Sequence, residues 1–254
     1  MRILLTNDDG IHAPGFSVLE EIAAPFASDL WAVAPAEEQS GAGHSLTLTR
    51  PLRIRRHGEQ RFAVTGTPTD AVMLALGHLM TGDKRPDLIL SGINRGANLG
   101  EDVTYSGTVS AAMEGTLAGI PAIALSQCSM APGTSDGVKW EAARQWAPKV
   151  LKKLLDVLPQ RGTLLNVNFP PLPPEEVRGV KVCDQGFRDY SRLNVIERKD
   201  PRGFNYYWFG TGETIETPGH RTDLEVIADG YVAVTPLHLD MTHRPSLEEY
   251  RGLF

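Results

Sequence analysis

The clearest indication of the fold is the segment Ile3-Leu4-Leu5-Thr6-Asn7-Asp8-Asp9-Gly10. A short apolar run that ends at turn residues is typical of a buried strand. In open parallel sheets, ligands bind in the crevice beyond the carboxyl ends of the strands. The segment therefore predicts a first strand over Ile3 to Thr6 that delivers Asp8 and Asp9 to a ligand-binding edge.

Short apolar runs and helical patterns alternate after this segment, through the first two thirds of the chain. Alternation of this kind is typical of an α/β fold with a mostly parallel sheet and covering helices. Helices are predicted to begin near Pro14, Thr67, Gly107 and Trp140. Further strands are predicted at residues 30–34, 46–49, 62–64, 88–90, 122–125 and 163–168.

The pattern changes after residue 177. Residues 178 to 235 contain strand-like pieces with little helical periodicity, including an aromatic cluster from Phe204 to Phe209, and a partly charged tail follows Pro236. We therefore predict an α/β core at residues 1–177 and a β-rich extension with a C-terminal tail at residues 178–254. A hairpin that packs on its own core is an alternative for the aromatic cluster.

Composition narrows the classes of function. The 254 residues are 41% hydrophobic and 22% charged, which is ordinary for a globular protein. The formal net charge of -6 disfavours a polymeric nucleic acid as partner, although a bound metal ion supplies positive charge locally. Two cysteines without CxxC spacing, and no signal peptide or membrane-length apolar run, predict a cytoplasmic protein with no membrane partner.

Three polar segments are predicted to meet at the carboxyl edge of the sheet. Asp8 and Asp9 repel each other, and a hard cation such as Mg²⁺ or Mn²⁺ relieves that repulsion. The glycine-rich loop at 91–100, with Asn94, follows another buried strand, and the loop at 38–45 follows the second strand. Asp-Gly is also common turn chemistry, but three converging oxygen-rich loops favour a binding site.

A fourth segment is suited to anions. Tyr105-Ser106-Gly107-Thr108 stands at the start of a predicted helix, where free backbone N–H groups, hydroxyls and the positive end of the helix dipole coincide. Ordinary N-capping by Ser106 is the alternative. The two interpretations are compatible because a cap uses some of the free N–H groups and leaves others.

Several familiar catalytic motifs are absent from the sequence. It contains no G-x-x-x-x-G-K-[ST] loop, no complete dinucleotide fingerprint and no G-x-S-x-G elbow. The seven histidines have no zinc-helix spacing. His44 lies near the predicted site, and both a proton-transfer role and a role in positioning its neighbours stay open.

Taken in order along the chain, these segments resemble the SurE family (survival protein E), which are metal-dependent 5'- and 3'-nucleotidases. The resemblance rests on residues 3–10 and 13–15, then 40–45 (Ser-Gly-Ala-Gly-His-Ser), 66–70, 91–100, 105–112, 222–223 and 230–237. These segments span nearly the whole chain, and their joint order is specific where each alone is not.

The resemblance implies a Rossmann-like core with helices on both faces and a C-terminal β-hairpin extension that exchanges between subunits, giving a homodimer or homotetramer. It implies one Mg²⁺ or Mn²⁺ per subunit. The implied metal ligands are Asp8, Asp9, Ser40 and Asn94, and the implied phosphate-binding residues are Asn98, Ser106, Gly107 and Thr108.

The functional hypothesis is a metal-dependent phosphomonoesterase that converts nucleoside 5'-monophosphates to nucleoside and phosphate. Nucleoside 3'-monophosphates are a second candidate substrate. In this hypothesis the metal polarises a water molecule toward attack at phosphorus. Asp8 or Asp9 could instead take a proton from that water or attack phosphorus as a nucleophile, and the residues do not separate these roles. One alternative is a non-catalytic nucleotide-binding sensor. A nucleotide-sugar transferase is a further alternative, disfavoured because the two carboxylates are adjacent instead of in Asp-X-Asp spacing.

Overall fold

Most of the strands that the apolar runs predict are present in the structure, a computed structural model. The structure describes residues 1–129, 138–189, 195–209, 213–214 and 221–254. In chain order they are β1 Arg2–Thr6, β2 Asp29–Pro35, β3 Ile54–Arg56, β4 Arg61–Val64, β5 Leu88–Arg95, β6 Ala122–Gln127, β7 Thr163–Phe169, β8 Val180–Val182, β9 Arg188–Asp189, β10 Val195–Lys199, β11 Asn205–Phe209, β12 Glu213–Thr214 and β13 Val232–His238.

The main helices are α1 Pro14–Ala23, α2 Pro68–Leu74, α3 Gly107–Leu117, α4 Glu141–Leu154, α5 Asp223–Ala228 and α6 Arg244–Arg251. Helices α1 and α4 bury residues such as Phe16 and Leu151 against one face of the sheet. Helices α2 and α3 bury residues such as Val72 and Val109 against the other face. The prediction of helices on both faces is therefore confirmed.

Among the described residues, nine strands form one sheet in the order β3-β4-β2-β1-β5-β6-β7-β13-β8. Strands β4, β2, β1, β5, β6 and β7 are mutually parallel, and β3 and β13 pair antiparallel with their neighbours β4 and β7. The chain builds outward from β1 to β4 and then returns to place β5 on the other side of β1. The strand order thus reverses between β1 and β5, where a ligand crevice is expected.

The predicted strand at residues 46–49 is wrong, because this segment is a loop and the nearby strand is β3. Both the backbone N–H and the hydroxyl of Thr47 donate to the Asp70 carboxylate, at 3.0 and 2.6 Å. Asp70 also closes a capping box with Thr67 at the start of α2. A backbone held by a side chain in this way is tied to the helix instead of to a strand ladder.

Residues beyond 177 contribute to two kinds of sheet. Strands β13 and β8 complete the main sheet, whereas β10 and β11 form a separate antiparallel hairpin and β9 pairs with β12. The predicted hairpin extension is confirmed, and helix α6 occupies part of the predicted tail. The division at residue 177 stays a prediction, and parts of the predicted extension, at 190–194, 210–212 and 215–220, lie outside the described residues.

No helix within the described residues is both long enough and apolar enough to cross a membrane.

Candidate functional site

The carboxylate of Asp8 lies beyond the end of β1, and 4% of the residue is exposed. The hydroxyl of Thr108, at the start of α3, donates a hydrogen bond to Asp8 Oδ1. Gly107 packs on the same carboxyl group, since a Cβ added to it would lie 2.7 Å from Asp8 Cβ and 3.0 Å from Asp8 Oδ2. The fold therefore brings the predicted acidic pair and the predicted anion-binding helix end into direct contact.

Burial shapes the electrostatics of this pair. It raises the pKa of Asp8 to about 6, with the neighbouring Asp9 charge adding to the rise and the Thr108 hydrogen bond opposing it. Burial also raises the pKa of Asp9, against the lowering effect of the Arg95 backbone N–H and of the Arg95 charge. The site thus holds two carboxyl groups whose ionised forms are disfavoured by their surroundings.

The loop after β2 packs against the acidic pair. Gln39 N donates to the backbone oxygen of Asp8 at 2.8 Å, which brings the predicted ligand Ser40 to the site edge. The Ser40 hydroxyl donates to Glu38 Oε1 at 2.9 Å, and the same oxygen pairs with Arg95 at 2.8 Å. Ser40 therefore presents its oxygen lone pairs, while its proton is held by Glu38.

Asn94 reaches the site because β5 is irregular near its end. The pairing of β5 with β6 shifts register between Ser91 and Asn94. Gly92 has φ +138°, and a Cβ there would lie 2.2 Å from Leu125 O, so the close approach of the two strands requires glycine. The Asn94 amide nitrogen donates to Gly96 O at 3.0 Å, which leaves the amide oxygen as its acceptor group. The next residue, Arg95, donates its backbone N–H to Asp9 Oδ2 at 3.0 Å.

Asn98 is held in a buried amide network that the sequence analysis missed. Its backbone N–H donates to Asn168 Oδ1 at 2.9 Å, its side-chain amide donates to Ser126 Oγ at 2.8 Å, and its carbonyl accepts from Asn166 at 2.8 Å. The partners lie on β6 and β7 and are fully buried. The available signal was the presence of polar residues inside two apolar runs.

The first turn of α3 contains backbone N–H groups that have no partner within the helix. Ser106 caps the helix by accepting from Val109 N at 3.0 Å, and the first intrahelical bond runs from Ser110 N to Ser106 O. The N–H groups of Gly107 and Thr108 precede these bonds, and the Thr108 N–H interacts with the Asp8 carboxylate and lowers its pKa. The capping interpretation of Ser106 is confirmed, and the Gly107 N–H stands where a helix start can bind an anion.

The 98–104 loop is fastened from the C-terminal part of the chain. Buried Asp223 accepts from Gly100 N at 2.9 Å and from Gly186 N at 2.8 Å. Arg188 donates to Leu99 O at 3.0 Å and pairs with Asp102 at 2.9 Å. Burial raises the pKa of Asp223 despite the backbone N–H groups that it accepts. These positioning residues have no local motif beyond the Thr222-Asp223 pair.

His44 lies beside α3. Its Nε2 atom is 2.5 Å from Glu114 Oε1, on α3. Its loop is anchored by a hydrogen bond from Gly43 N to Tyr105 O at 3.1 Å. This placement favours the role of positioning its neighbours.

The residues present fit a hard divalent cation. Within the described part of the chain, no group of three or more His, Cys, Asp or Glu side chains could hold a metal, so any ion here would also need hydroxyl or amide oxygens. No cationic side chain is among the groups that perturb Asp8. A cation beside Asp8 and Asp9 would relieve both burial and mutual repulsion, and oxygen donors suit Mg²⁺ or Mn²⁺.

The contact between Gly107 and Asp8 yields a testable expectation. In Gly107→Ala the added methyl group displaces the Asp8 carboxyl, and we expect phosphatase turnover to fall by roughly tenfold to 100-fold. Gly77→Ala is the matched control, because a Cβ at Gly77 meets nothing within 4 Å. Initial rates and circular dichroism of both variants check this, and full activity in folded Gly107→Ala would show that the contact is unimportant.

Known proteins that are similar to this chain belong to the family that its sequence motifs resemble. The family described as Survival protein SurE matches residues 3–192. A 5'-nucleotidase SurE from Rhizorhabdus wittichii is 59% identical over 254 residues, covering 100% of both chains. Another protein of that name, from Erythrobacter litoralis, is 58% identical over 247 residues and covers 97% of each chain.

A solved structure agrees as well. The crystal structure of the SurE protein from Aquifex aeolicus superimposes with a TM-score of 0.84 at 41% identity, covering 100% of this chain and 99% of the other. Since the relatives are named as enzymes over the full length of this chain, the prediction of an enzyme is confirmed. The chain belongs to the survival protein SurE family.

Proposed function

We propose that this protein is a metal-dependent phosphomonoesterase that hydrolyses nucleoside 5'-monophosphates to nucleoside and phosphate, and that it accepts 3'-monophosphates as well. The names of the relatives support the nucleotidase activity. The observation that carries the proposal is the contact of buried Asp8 with Gly107 and Thr108 at the start of α3. This contact supports the proposal, because a metal-assisted phosphatase needs a carboxylate for its cation next to donor groups for the phosphate.

In this proposal Asp8, Asp9, Ser40 and Asn94 hold one Mg²⁺ or Mn²⁺ per subunit. When bound, the cation supplies positive charge that neutralises the phosphoryl oxygens and polarises water. The Gly107 N–H and the Ser106 hydroxyl hold the phosphoryl oxygens as their charge redistributes. Thr108 donates its hydroxyl to the Asp8 carboxylate, its backbone N–H also interacts with that group, and both orient Asp8 as a metal ligand.

We assign the proton-transfer role to Asp9. Asp8 is enclosed, whereas Asp9 lines a cavity together with Glu38 and Arg95. Asp9 Oδ2 accepts from Arg95 N, so Oδ1 is the atom that takes the proton of the attacking water. In this proposal Asn98 contacts the phosphoryl group through one N–H of its side-chain amide, while the other N–H donates to Ser126 Oγ.

Phosphate release from a panel of substrates tests the proposal. The panel contains 5'- and 3'-mononucleotides, glycerol 2-phosphate and a short polyphosphate, each with Mg²⁺, Mn²⁺ or EDTA. We expect metal-dependent release that is fastest from 5'-mononucleotides. If folded protein binds mononucleotides but releases no phosphate from any of them, the sensor alternative replaces the enzyme.

The exposed hairpin supports a further part of the proposal, that the chain forms a homodimer or homotetramer. All five residues of β11 are exposed, including Tyr206 at 42%, Trp208 at 63% and Phe209 at 82%. Contiguous exposed aromatic surface of this kind marks an interaction site. A second copy of the chain offers the same surface and is the partner we propose.

Disrupting one face of the hairpin tests this assembly. Tyr207 and Phe209 are two apart on β11 and share a face, so Tyr207→Asp with Phe209→Asp places two charges on it. We expect the wild type to be a dimer or tetramer by light scattering and the double variant to shift to monomer. Val157→Asp, at another exposed apolar position, should leave the mass unchanged. A monomeric wild type would rule out the proposed assembly.

A further inference from the structure

A cavity of about 290 Å³ opens directly beside Asp9. This volume is close to the lower limit of roughly 300 Å³ for small-molecule sites. Its apolar lining residues include Ala13, Pro14 and Trp140. Its polar lining residues are Asp9, Glu38 and Arg95. The cavity therefore continues the candidate site from a carboxylate into an amphipathic cleft.

Trp140 is fixed in this cleft by close packing. It precedes α4, and its ring edge lies against Gly15, where an added Cβ would be 2.7 Å from Trp140 Cη2 and 2.1 Å from Ile93 O. The residue is half-buried and packs on the core beneath α1 and α4. A half-exposed aromatic ring that is held in place provides a flat surface on which another ring can stack.

The polar lining residues supply hydrogen-bonding groups. The Arg95 guanidinium and the Glu38 carboxylate are paired at 2.8 Å and are both exposed, so they offer donors and an acceptor to a ligand in the cavity. The Arg95 backbone N–H donates to Asp9 Oδ2, which connects this polar pair to the acidic pair. The cavity thus has an aromatic surface, a polar rim and an edge shared with the reaction site.

Another cavity beside the same loop lacks this combination. It measures about 240 Å³ and is lined by Glu37, Gln39, Arg50 and Arg55 among others, with no aromatic side chain among its described lining residues. It offers charge to a ligand but no stacking surface. The Trp140 cavity is therefore the better fit for the aromatic part of a nucleotide.

We propose that the Trp140 cavity binds the nucleobase of the substrate, which stacks on the indole ring while the phosphate lies at Asp8, Asp9 and the α3 start. This inference rests on the proposed nucleotidase function and adds the residue that separates nucleotides from other phosphomonoesters. The ribose spans the interval between Trp140 and Asp9. Arg95 and Glu38 face the base edge and supply its hydrogen bonds.

Two variants of similar side-chain volume isolate the aromatic contribution. Trp140→Leu keeps an apolar side chain and removes the ring, whereas Trp140→Phe keeps a ring. We expect the KM for 5'-AMP to rise about tenfold in Trp140→Leu, with kcat within about threefold of wild type, and to stay within about threefold in Trp140→Phe. For glycerol 2-phosphate, which has no base, kcat/KM should change by less than about twofold in either variant.

Binding of adenosine gives a readout that does not depend on turnover. We expect adenosine to quench tryptophan fluorescence in wild type and in the control Trp146→Phe, and the quenching to disappear in Trp140→Phe. Equal losses for 5'-AMP and glycerol 2-phosphate in Trp140→Leu would show a structural role and overturn the proposal. Absence of quenching in wild type would also overturn it. Quenching through Trp140 without phosphate release from any ester would reject the proposed catalysis while supporting the base site.

Discussion

Asp8→Asn is expected to lower metal-dependent phosphate release from 5'-AMP by at least about 100-fold, because it removes a charged cation ligand in contact with the anion-binding turn. Asparagine is nearly isosteric, and its amide oxygen can still accept the hydrogen bond from Thr108. The loss therefore reports on charge at this carboxyl position and not on core volume. Initial rates at saturating Mg²⁺ measure it.

The control for this variant changes the same charge far from the site. Asp156→Asn alters an exposed aspartate just after α4, and we expect wild-type rates. Circular dichroism establishes that both proteins fold. Near-normal metal-dependent turnover in folded Asp8→Asn would remove Asp8 from the mechanism.

The same substitution is expected to stabilise the protein when no cation is present. The pKa of Asp8 in the fold is about 6, above its ordinary value of 3.8, so the folded state binds this proton more tightly than the unfolded state does. Its contribution to the free energy of unfolding is therefore fully present below about pH 4 and is lost as the pH rises through about 6. A shift of two pKa units corresponds to about 3 kcal/mol.

Chemical denaturation in EDTA measures this effect. At pH 7.5 we expect Asp8→Asn to unfold with a free energy larger than that of wild type by up to about 3 kcal/mol, and the difference to shrink toward pH 4. Added Mg²⁺ should stabilise wild type more than the variant, since a ligand that binds the folded state stabilises it. If metal-free Asp8→Asn is less stable than wild type at pH 7.5, the buried Asp8 charge does not destabilise the fold.

The parts of the fold that the sequence predicted well are those with local signals. The run at Ile3 to Thr6 and the run that became β5 are short, apolar and followed by turn residues, and both are central strands. Because the carboxyl ends of parallel strands share an edge, the convergence of the loops with Asp8, Ser40 and Asn94 could be predicted from the parallel arrangement alone. That prediction did not require knowing which strands pair with each other.

Long-range pairings were beyond the reach of the sequence patterns. The hydrogen bond from Thr108 to Asp8 joins residues 100 apart, and it depends on where α3 packs on the sheet. Asn168 reads as an ordinary strand residue until β7 lies beside the 98–104 loop. Strand β13 has a clear local pattern, but its antiparallel place next to β7 is a tertiary choice.

Two other differences have local causes. The segment 46–49 alternates like a strand, yet the Asp70 carboxylate holds the Thr47 backbone and competes with strand pairing. Helix α6 has no buried residue, so it lacks the apolar stripe by which helices are recognised. Its N-terminus is capped instead by the ring of His243, which accepts from Ser246 N.

Metal-dependent catalysis is tested most directly by phosphate release from 5'-AMP, followed in one preparation through a cycle of metal removal and return. We expect release with Mg²⁺, none after EDTA and dialysis, and recovery when Mg²⁺ or Mn²⁺ is restored, with Asp8→Asn at least about 100-fold slower than wild type whenever metal is present. Undiminished release from wild type after the metal has been removed would show that catalysis does not need the cation.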